Sequence, residues 1–282
     1  MRRHPFLFAL ALAALLAILL LAFAYRSATA EPVVRRTSVA LPDWGEGEPG
    51  IRAVLLSDVH VGGPDMPPER LARIVEQVNA LSPDIVLIAG DLITDKRAAT
   101  RWYSMAEAIA PMAAFRTRLG AFAVLGNHDH WRNADQARAA LKRAGVRLLE
   151  NEAVRVGPLA LGGLDDDFTG RARVAATVPA LRALPGAKMV LSHSPDPFPE
   201  LPADVQLMVA GHTHCGQIAF PIVGPLSTMS RYGKRYACGI VREEGKTLIV
   251  TAGLGTSGLP LRLIAVPDMW LIELGPKPAG AR

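Results

Sequence analysis

Cysteine and aromatic residues are scarce in this chain of 282 residues. The two cysteines, Cys215 and Cys238, are too few for a disulfide-rich framework or a zinc knuckle of CxxC pairs. They could pair with each other, or Cys215 could remain a thiol beside His214, and both readings stay open. Aromatic residues make up 6% of the chain and are not interleaved with a basic patch, which argues against nucleic acid as a partner. The net charge of +5 is spread along the sequence, as on a solvated cationic surface.

The N-terminal segment lacks charge between Pro5 and Tyr25, behind the basic start Met1-Arg2-Arg3-His4. Its length matches the ~20 residues that cross ~30 Å of hydrocarbon and exceeds the ~7–15 of a signal-peptide core. Ala28-Thr29-Ala30 nevertheless resembles a cleavage site for export. Residues 1–30 are therefore an uncleaved membrane anchor, which the length favours, or an export signal. Either reading keeps the basic end inside and predicts a domain on the periplasmic side of a bacterial cytoplasmic membrane, single-pass or released.

The composition and the hydrophobic pattern of the chain after residue 30 divide it into three parts. Residues 31–50 are rich in Pro, Gly, Arg and Glu and predict a linker with short edge strands. From Ile51, strand-like runs alternate with helical stripes, which predicts parallel strands joined by helices. After Val146 the runs are shorter and suggest a more antiparallel second sheet. The predicted division is an anchor or signal at 1–30, a linker at 31–50, one catalytic domain at 51–275 and a tail at 276–282.

Five hydrophobic runs each end in His, Asp or Asn. These polar clusters are Asp58 with His60, Gly90 with Asp91, Asn127 with His128 and Asp129, His193, and His212 with His214. Each cluster alone fits a strand-end cap or a turn, but five together do not. Because the carboxyl ends of parallel strands meet at one edge of a sheet, we expect these side chains to converge.

The donor types in the clusters indicate a metal site. Carboxylate, imidazole and amide donors together suit Mn, Fe or Zn better than Mg or Ca, which prefer all-oxygen shells. So many donors exceed the needs of one ion, whereas two divalent ions about 3.5–4 Å apart would use them. Such pairs catalyse in-line displacement at phosphorus. The sequence therefore predicts a dinuclear hydrolase, with Mn as the first candidate and Fe or Zn as alternatives.

The five clusters resemble the signature blocks of the calcineurin-like metallophosphoesterases, in the order of that family. Segments 211–217, 230–236 and 253–262 are similar to its bacterial membrane-associated branch, which includes transmembrane metallophosphoesterases and enzymes that cleave the pyrophosphate of UDP-2,3-diacylglucosamine. The resemblance covers about residues 51–274. It implies an α/β fold, a four-layer α/β/β/α sandwich of two mixed sheets flanked by helices, preceded by one transmembrane helix.

The resemblance also implies roles for individual residues. One metal would be held by Asp58, His60 and His214, the other by Asn127, His193 and His212, with Asp91 bridging. His128 would face the leaving-group oxygen, oriented by Asp129, and the nucleophile would be a metal-bound hydroxide. Arg262 and Tyr236 are candidate contacts for the substrate phosphate or its headgroup.

The expected reaction is hydrolysis of a phosphomonoester, phosphodiester or pyrophosphate, with a lipid-linked or nucleotide-lipid substrate suggested by the anchor. A first alternative is UDP-2,3-diacylglucosamine pyrophosphatase activity in lipid A biosynthesis. Export of the domain counts against it, because the nucleotide is normally on the cytoplasmic side. A second alternative is a metal-binding scaffold without turnover. His128 and Asp129 speak against that alternative, since neither is a ligand in the family scheme.

Overall fold

The computed structural model describes residues 5–220 and 222–276, so the basic start 1–4 and residues 277–282 of the predicted tail lie outside the described residues. The strands in chain order are β1 (Val33–Leu41), β2 (Ile51–Leu56), β3 (Ile85–Ala89), β4 (Ala121–Val124), β5 (Val146–Leu148), β6 (Glu152–Val156), β7 (Leu159–Gly163), β8 (Ala187–Leu191), β9 (Leu207–Ala210), β10 (Ala219–Phe220), β11 (Gly224–Pro225), β12 (Gly239–Glu243), β13 (Lys246–Val250) and β14 (Asp268–Pro276). The helices are α1 (Pro5–Ala28), α2 (Pro68–Ala80), α3 (Met105–Ile109), α4 (Asn127–Arg143) and α5 (Val174–Arg182), with 3₁₀ turns at Ala110–Ala114, Phe198–Glu200 and His214–Gly216.

Two six-stranded mixed sheets carry the fold. Their strand orders are β1-β14-β2-β3-β4-β5 and β12-β13-β9-β8-β7-β6, and β10 and β11 form a separate small hairpin. In the first sheet β2, β3, β4 and β5 run parallel, joined by helices as the sequence predicts. The expectation of a more antiparallel second sheet is wrong for its centre. There β7, β8, β9 and β13 are parallel, and only the two edge pairs are antiparallel.

The alternation of side chains along the central strands builds the layers. On β2, Val54 and Leu56 pack with helix α2, whereas Ala53 and Leu55 face the other sheet. The strands of the second sheet alternate in the same way. Met189 of β8 lies between the two sheets, whereas Val190 packs with α5 on the outer face. Because successive side chains of a strand point to opposite faces, each sheet buries both faces. The predicted four-layer α/β/β/α sandwich is confirmed.

The segment predicted to be a linker, 31–50, is part of the first sheet. Strand β1 pairs in parallel with β14 from Val33 opposite Asp268 to Leu41 opposite Pro276. Leu41 and Trp44 are buried in the layer between the sheets. The segment thus contains the edge strand that the sequence suggests, but as one continuous strand of nine residues and not as short pieces within a linker, because its pairing partner lies at the other end of the chain.

Helix α1 precedes this strand. Within the described part of the chain, Phe6–Ala28 is the one helix of 23 residues that is long and apolar enough to cross a membrane. Its leucine and phenylalanine side chains are exposed, whereas Ala24 and Ala28 near its end are buried against the domain. The predicted N-terminal apolar helix is therefore present.

Helix α4 starts directly after β4 and carries Asn127 and His128 on its first turn. An extended backbone at Asn133 interrupts it, and the Asn133 side chain then accepts a hydrogen bond from Gln136 N at 2.9 Å. A side-chain oxygen that accepts from the backbone three residues further on is typical of a helix N-cap. The interruption separates a short leading segment that positions the site from the longer part that packs on the sheet.

Candidate metal centre

The predicted ligands share one position, since each follows the carboxyl end of a strand. They are Asp58 and His60 after β2, Asp91 after β3, Asn127 after β4, His193 after β8, and His212 and His214 after β9. The three strands of the first sheet and the two of the second are parallel within their sheets. Their carboxyl ends therefore open to one side of the sandwich, where the polar side chains meet.

A first donor cluster consists of Asp58, His60 and His214. The Nε2 atoms of His60 and His214 are 3.1 Å apart, and Asp58 Oδ1 lies 3.3 Å from His214 Nε2. All three residues are buried. Ligand atoms bound at ~2.0–2.2 Å around one ion are separated by roughly 3.0–3.5 Å, so the spacing fits a shared cation.

A second donor cluster lies beside the first and contains Asp91, Asn127, His193 and His212. His193 Nε2 is at its centre, 3.3 Å from Asp91 Oδ2, 3.2 Å from Asn127 Oδ1 and 3.0 Å from His212 Nδ1. Asp91, His193 and His212 each offer one donor atom, and these three atoms lie within 4.8 Å of one another. The spacings are again those of donors around one ion.

Asp91 faces both clusters. Its Oδ2 lies 3.5 Å from His60 Nε2 in the first cluster and 3.3 Å from His193 Nε2 in the second. The other carboxylate oxygen accepts a hydrogen bond from the backbone N–H of His128 at 2.9 Å. One oxygen is thus fixed by the backbone, which leaves the other directed between the two sets of imidazoles.

Two imidazoles of the second cluster have their outer nitrogens occupied. His193 Nδ1 donates to the carbonyl of Ala89 at 2.7 Å, and His212 Nε2 donates to the carbonyl of Met229 at 3.2 Å. A carbonyl oxygen only accepts, so the proton of each neutral ring lies on the outer nitrogen. The inward nitrogen then carries the lone pair that a metal ion needs.

An orphaned polar atom tests whether these residues fit a metal. Asp58 Oδ1 is buried and has no hydrogen-bond donor among the described residues. Its partner oxygen, Oδ2, accepts from the hydroxyl of Ser57 and from His212 N. A buried carboxylate oxygen without a donor is unfavourable unless a cation faces it. The donor set therefore fits divalent ions.

Burial keeps most of the imidazoles neutral. It lowers the pKa of His60 and His214 well below the usual range and that of His212 to about 3. Burial alone would also lower the pKa of His193, but the charge of Asp91, its hydrogen bond to the ring and the charge of Asp58 together outweigh burial and raise that pKa well above its ordinary value. In turn, burial would raise the pKa of Asp91, and the surrounding imidazoles hold it well below 3.8.

The backbone at the site is strained. Five of the predicted ligands have a left-handed backbone with positive φ, namely Asp58 (49°), His60 (48°), Asp91 (55°), His212 (69°) and His214 (50°). Such a conformation is uncommon for residues other than glycine and costs on the order of 1 kcal/mol each. It turns the chain sharply at the strand end, which aims side chains from adjacent positions into one cavity.

The model of one protein family, described as Calcineurin-like phosphoesterase, matches residues 51–216, a span that contains all seven predicted ligands. The chain belongs to the calcineurin-like phosphoesterase family.

Similar proteins carry related descriptions. A Danio rerio protein described as a transmembrane protein with metallophosphoesterase domain is 30% identical over 281 residues, covering 93% of this chain and 62% of that protein. An uncharacterized metallophosphoesterase of Helicobacter pylori is 29% identical over 255 residues, covering 88% of this chain and 65% of that protein. The chain thus spans less than two thirds of either relative. Among solved structures, the NAD nucleotidase of Haemophilus influenzae aligns with a TM-score of 0.48 and 16% identity over 73% of this chain and 45% of that chain.

In this calcineurin-like site, His128 stands beside the donors at the open side. Its Nε2 lies 3.8 Å from Asp91 Oδ2, and its ring packs edge-on against that of His60. Its Nδ1 donates to the carboxylate of Asp95, since a carboxylate only accepts. Sequence reasoning missed Asp95, which is part of no motif and follows Asp91 on a loop.

The role predicted for Asp129 is wrong. Both oxygens of its carboxylate accept backbone hydrogen bonds, from Leu92 N at 2.8 Å and from Gly126 N at 3.0 Å. Asp129 is fully buried and connects the loop after β3 to the start of α4. It therefore braces the loops that carry Asp91 and His128, and the partner of the His128 ring is Asp95.

Arg262 is not placed to contact a substrate, contrary to the prediction. Its side chain is fully buried and donates to the carbonyls of Ala252, Gly253 and Gly255 at 2.7, 3.2 and 2.6 Å. One of its nitrogens lies 3.4 Å from His214 Nδ1, behind the first cluster. Arg262 therefore holds together the loop behind His214. Its residue type indicated a phosphate contact, and its burial overrules that prediction.

Tyr236 is also remote from solvent. It is 1% exposed, stacks edge-on against Phe198 and donates its hydroxyl to Glu243 at 2.8 Å. Phe198 belongs to the core cluster on the outer face of the second sheet. The predicted substrate contact of Tyr236 is therefore wrong. Its ring packs in the core and its hydroxyl is hydrogen-bonded to Glu243, so neither part of the side chain is available to a substrate.

Two half-exposed aromatic residues line the cleft instead. Trp131 packs edge-on against His128 at 5.0 Å between ring centroids, and Phe168 lies 4.8 Å from the ring of His212. Phe168 follows Asp166, whose buried carboxylate accepts from the backbone N–H groups of Phe168 and Thr169. The acidic run at 165–167 thus shapes a turn that presents Phe168 to the cleft.

A disulfide between Cys215 and Cys238 adjoins the site. Cys215 directly follows His214, so the bond ties the loop of that imidazole to the segment before β12. Of the two readings that the sequence left open, the structure shows the paired cysteines.

Proposed function

We propose that the chain is a membrane-anchored phosphoesterase that depends on two divalent metal ions. The observation that carries this proposal is the position of Asp91 Oδ2, within 3.5 Å of His60 in one donor cluster and within 3.3 Å of His193 in the other. A carboxylate oxygen between two sets of imidazoles is what a pair of ions sharing one ligand requires.

The assignment of ligands follows the two clusters. We assign one ion to Asp58, His60 and His214, the second to Asn127, His193 and His212, and Asp91 to both. The mixture of nitrogen and oxygen donors favours Mn, with Fe or Zn as alternatives, over Mg or Ca. When bound, the ions would supply Lewis-acid stabilisation of the phosphoryl group and lower the pKa of water.

The chain itself supplies proton transfer and positioning. His128 stands at the open side with its Nδ1–H held by Asp95, so its Nε2 is free to hold or transfer a proton at a leaving-group oxygen. Asp129 holds the loop of Asp91, and Trp131 and Phe168 wall the cleft. The predicted substrates are phosphomonoesters, phosphodiesters or pyrophosphates.

Two features support an anchored, exported domain. The helix Phe6–Ala28 has the length and composition of a membrane span, and Ala28 at its end is fully buried against the domain. The Cys215–Cys238 disulfide is typical of a compartment outside the cytoplasm. We therefore propose a single-pass protein with its catalytic domain, residues 51–275 together with β1, on the periplasmic side. This location disfavours UDP-2,3-diacylglucosamine as the substrate, because that nucleotide is normally on the cytoplasmic side. No contact among the described residues favours it either.

The experiment is hydrolysis of nitrophenyl phosphate mono- and diesters by the full-length protein in detergent, with metal content measured on the same samples. We expect turnover that a chelator abolishes and Mn restores. Asp91→Asn should lose bound metal and activity together, whereas His128→Ala should keep the metal and lose about 10²–10⁴-fold in rate.

Asp135→Asn is the matched control, because its carboxylate is 91% exposed and pairs with Arg138 on the same helix, and neither residue belongs to a donor cluster. Full metal loading without turnover on any ester would overturn the proposal in favour of a metal-binding scaffold.

A further inference from the structure

The catalytic domain is hydrogen-bonded to the end of the apolar helix α1. Arg262 N donates to the carbonyl of Ala24 at 3.0 Å, inside the last turns of α1. Arg70 donates to the carbonyl of Ala30 just beyond the helix, and Ala24 is 6% exposed. These contacts hold the domain against the end of α1. In a protein whose helix α1 spans a bilayer, they would therefore determine the distance between the domain and the bilayer.

The helix sets the depth of that junction. About 20 residues with a rise of ~1.5 Å each cross the ~30 Å hydrocarbon core. Counted from Phe6, this length ends at Tyr25, the next residue after Ala24. In a bilayer spanned from Phe6, the backbone of Arg262 and its neighbours Leu261 and Leu263 would therefore lie at the boundary between hydrocarbon and headgroups.

Backbone hydrogen bonds connect the segment around Arg262 to the hairpin of β10 and β11. Leu263 N donates to Gln217 O at 2.9 Å, and Ala219 N donates to Leu263 O at 3.0 Å. Ala219 begins β10, which pairs antiparallel with β11. The hairpin and the segment around Arg262 are therefore one connected surface beside the end of α1.

This surface, which we call the apolar platform, exposes large apolar side chains. They are Ile222 (99% exposed), Val223 (63%), Leu226 (64%), Met229 (55%), Leu259 (52%) and Ile264 (56%). Single exposed apolar residues are ordinary, but a contiguous group of this kind marks an interaction surface. Lys234 adds a positive charge, since its ammonium group donates to Val223 O at 2.8 Å. Apolar side chains flanked by lysine suit the interface of an anionic bilayer.

The platform also reaches the metal centre. A cavity of about 240 Å³ is lined by Ile218, Leu226 and Met229 on one side and by His214 on the other. The carbonyl of Met229 accepts from His212 Nε2 at 3.2 Å. An apolar wall therefore runs from the exposed hairpin to the imidazoles of both donor clusters.

We propose that the apolar platform lies in the interface of the bilayer that α1 spans, so that the metal centre opens at the membrane surface onto phosphoesters of membrane lipids. The bilayer is the occupant because the platform is continuous with a helix that already ends at that depth. The docking stands independently of catalysis, whereas the lipid substrate rests on the proposed function.

The docking is tested with the full-length protein in vesicles of phosphatidylcholine, with and without phosphatidylglycerol. Both native cysteines are paired, so Ile222→Cys introduces one reactive thiol for an environment-sensitive nitrobenzoxadiazole label. Glu244→Cys is the matched control, because Glu244 is 84% exposed in the turn before β13, at the end of the sheet opposite to the metal centre. We expect blue-shifted emission and quenching by brominated lipids at position 222, and water-like emission at position 244. Water-like emission at both positions, or lipid-like emission at both, would overturn the docking.

The substrate is tested with rates on a phospholipid ester in the same vesicles and on a soluble nitrophenyl ester. The double change Ile222→Asp and Val223→Asp should lower the rate on the phospholipid ester by about tenfold, because two carboxylates at the tip of the hairpin disfavour its insertion into the bilayer interface. The rate on the soluble nitrophenyl ester should stay unchanged. Equal rates on the lipid for wild type and variant would refute the lipid assignment. Absence of turnover on every ester with lipid-like emission at position 222 would instead refute the proposed function alone.

Discussion

The carboxylate of Asp95 accepts a hydrogen bond from Nδ1 of His128, across the mouth of the metal centre. This contact assigns the tautomer of the ring and leaves Nε2 directed at the donor clusters. The structure also distinguishes the roles of two acidic residues near the site. Asp95 accepts a hydrogen bond from the imidazole of His128, whereas Asp129 accepts hydrogen bonds from backbone N–H groups.

Asp95→Ala should therefore lower kcat by about 10–100-fold while the metal content stays at the wild-type level. The physical reason is the loss of the group that orients His128, with the donor clusters intact. Steady-state kinetics and metal analysis of one preparation check this, beside Asp135→Asn. Loss of metal in Asp95→Ala would show that Asp95 supports the ligands instead.

Asp129→Ala should act through stability. It leaves the buried N–H groups of Leu92 and Gly126 without acceptors, and each such loss costs about 1–3 kcal/mol. Denaturant unfolding should show this decrease in the free energy of unfolding. A variant with wild-type stability and reduced kcat would restore the catalytic role that the sequence suggested.

Gly126→Ala should abolish metal binding. A Cβ at Gly126 would lie 2.2 Å from Asp91 Oδ1, so the carboxylate shared by both clusters would have to move. The control is Gly275→Ala in β14, where a Cβ meets nothing within 4 Å. Metal titration by calorimetry distinguishes the two, and tight binding by Gly126→Ala would contradict the packing described for Asp91.

Arg262→Met should destabilise the domain by about 1–3 kcal/mol for each buried carbonyl left without a donor, and it should weaken metal binding. The change leaves the carbonyls of Ala252 and Gly255 without their donor and removes the support behind His214. Thermal unfolding and metal content are the readouts. If Arg262→Met folded normally, kept its metal and showed only a raised KM, the direct substrate contact would be right after all.

Reduction of Cys215–Cys238 should lower the free energy of unfolding by about 3 kcal/mol, as expected for closing a loop with a sequence separation of 23. Because Cys215 adjoins His214, we also expect weaker metal binding after reduction. Unfolding and metal content are measured before reduction, after reduction and after reoxidation. Unchanged metal affinity in the reduced protein would confine the disulfide to a stabilising role.

Much of the fold is readable from local patterns. The runs before Asp58, Asp91 and Asn127 are short and apolar, are rich in Val, Ile and Leu, and are followed by polar residues, which is typical of buried strands. The carboxyl ends of parallel strands share an edge, so the meeting of the donors follows from strand direction alone. The family resemblance named the same residues, and their roles as ligands remain predictions.

The sequence by itself determined the apolar helix, the central strands and the donors at their ends, because periodicity and strand-end chemistry are properties of neighbouring residues. Only the tertiary structure decided that β1 joins β14, that Asp95 serves His128 and that Arg262 is buried behind His214. Those contacts connect residues on separate loops or at distant positions, and which side chain reaches which partner depends on the packing of the folded chain. Burial made the same difference for Tyr236, whose residue type suited a substrate contact and whose ring lies in the core.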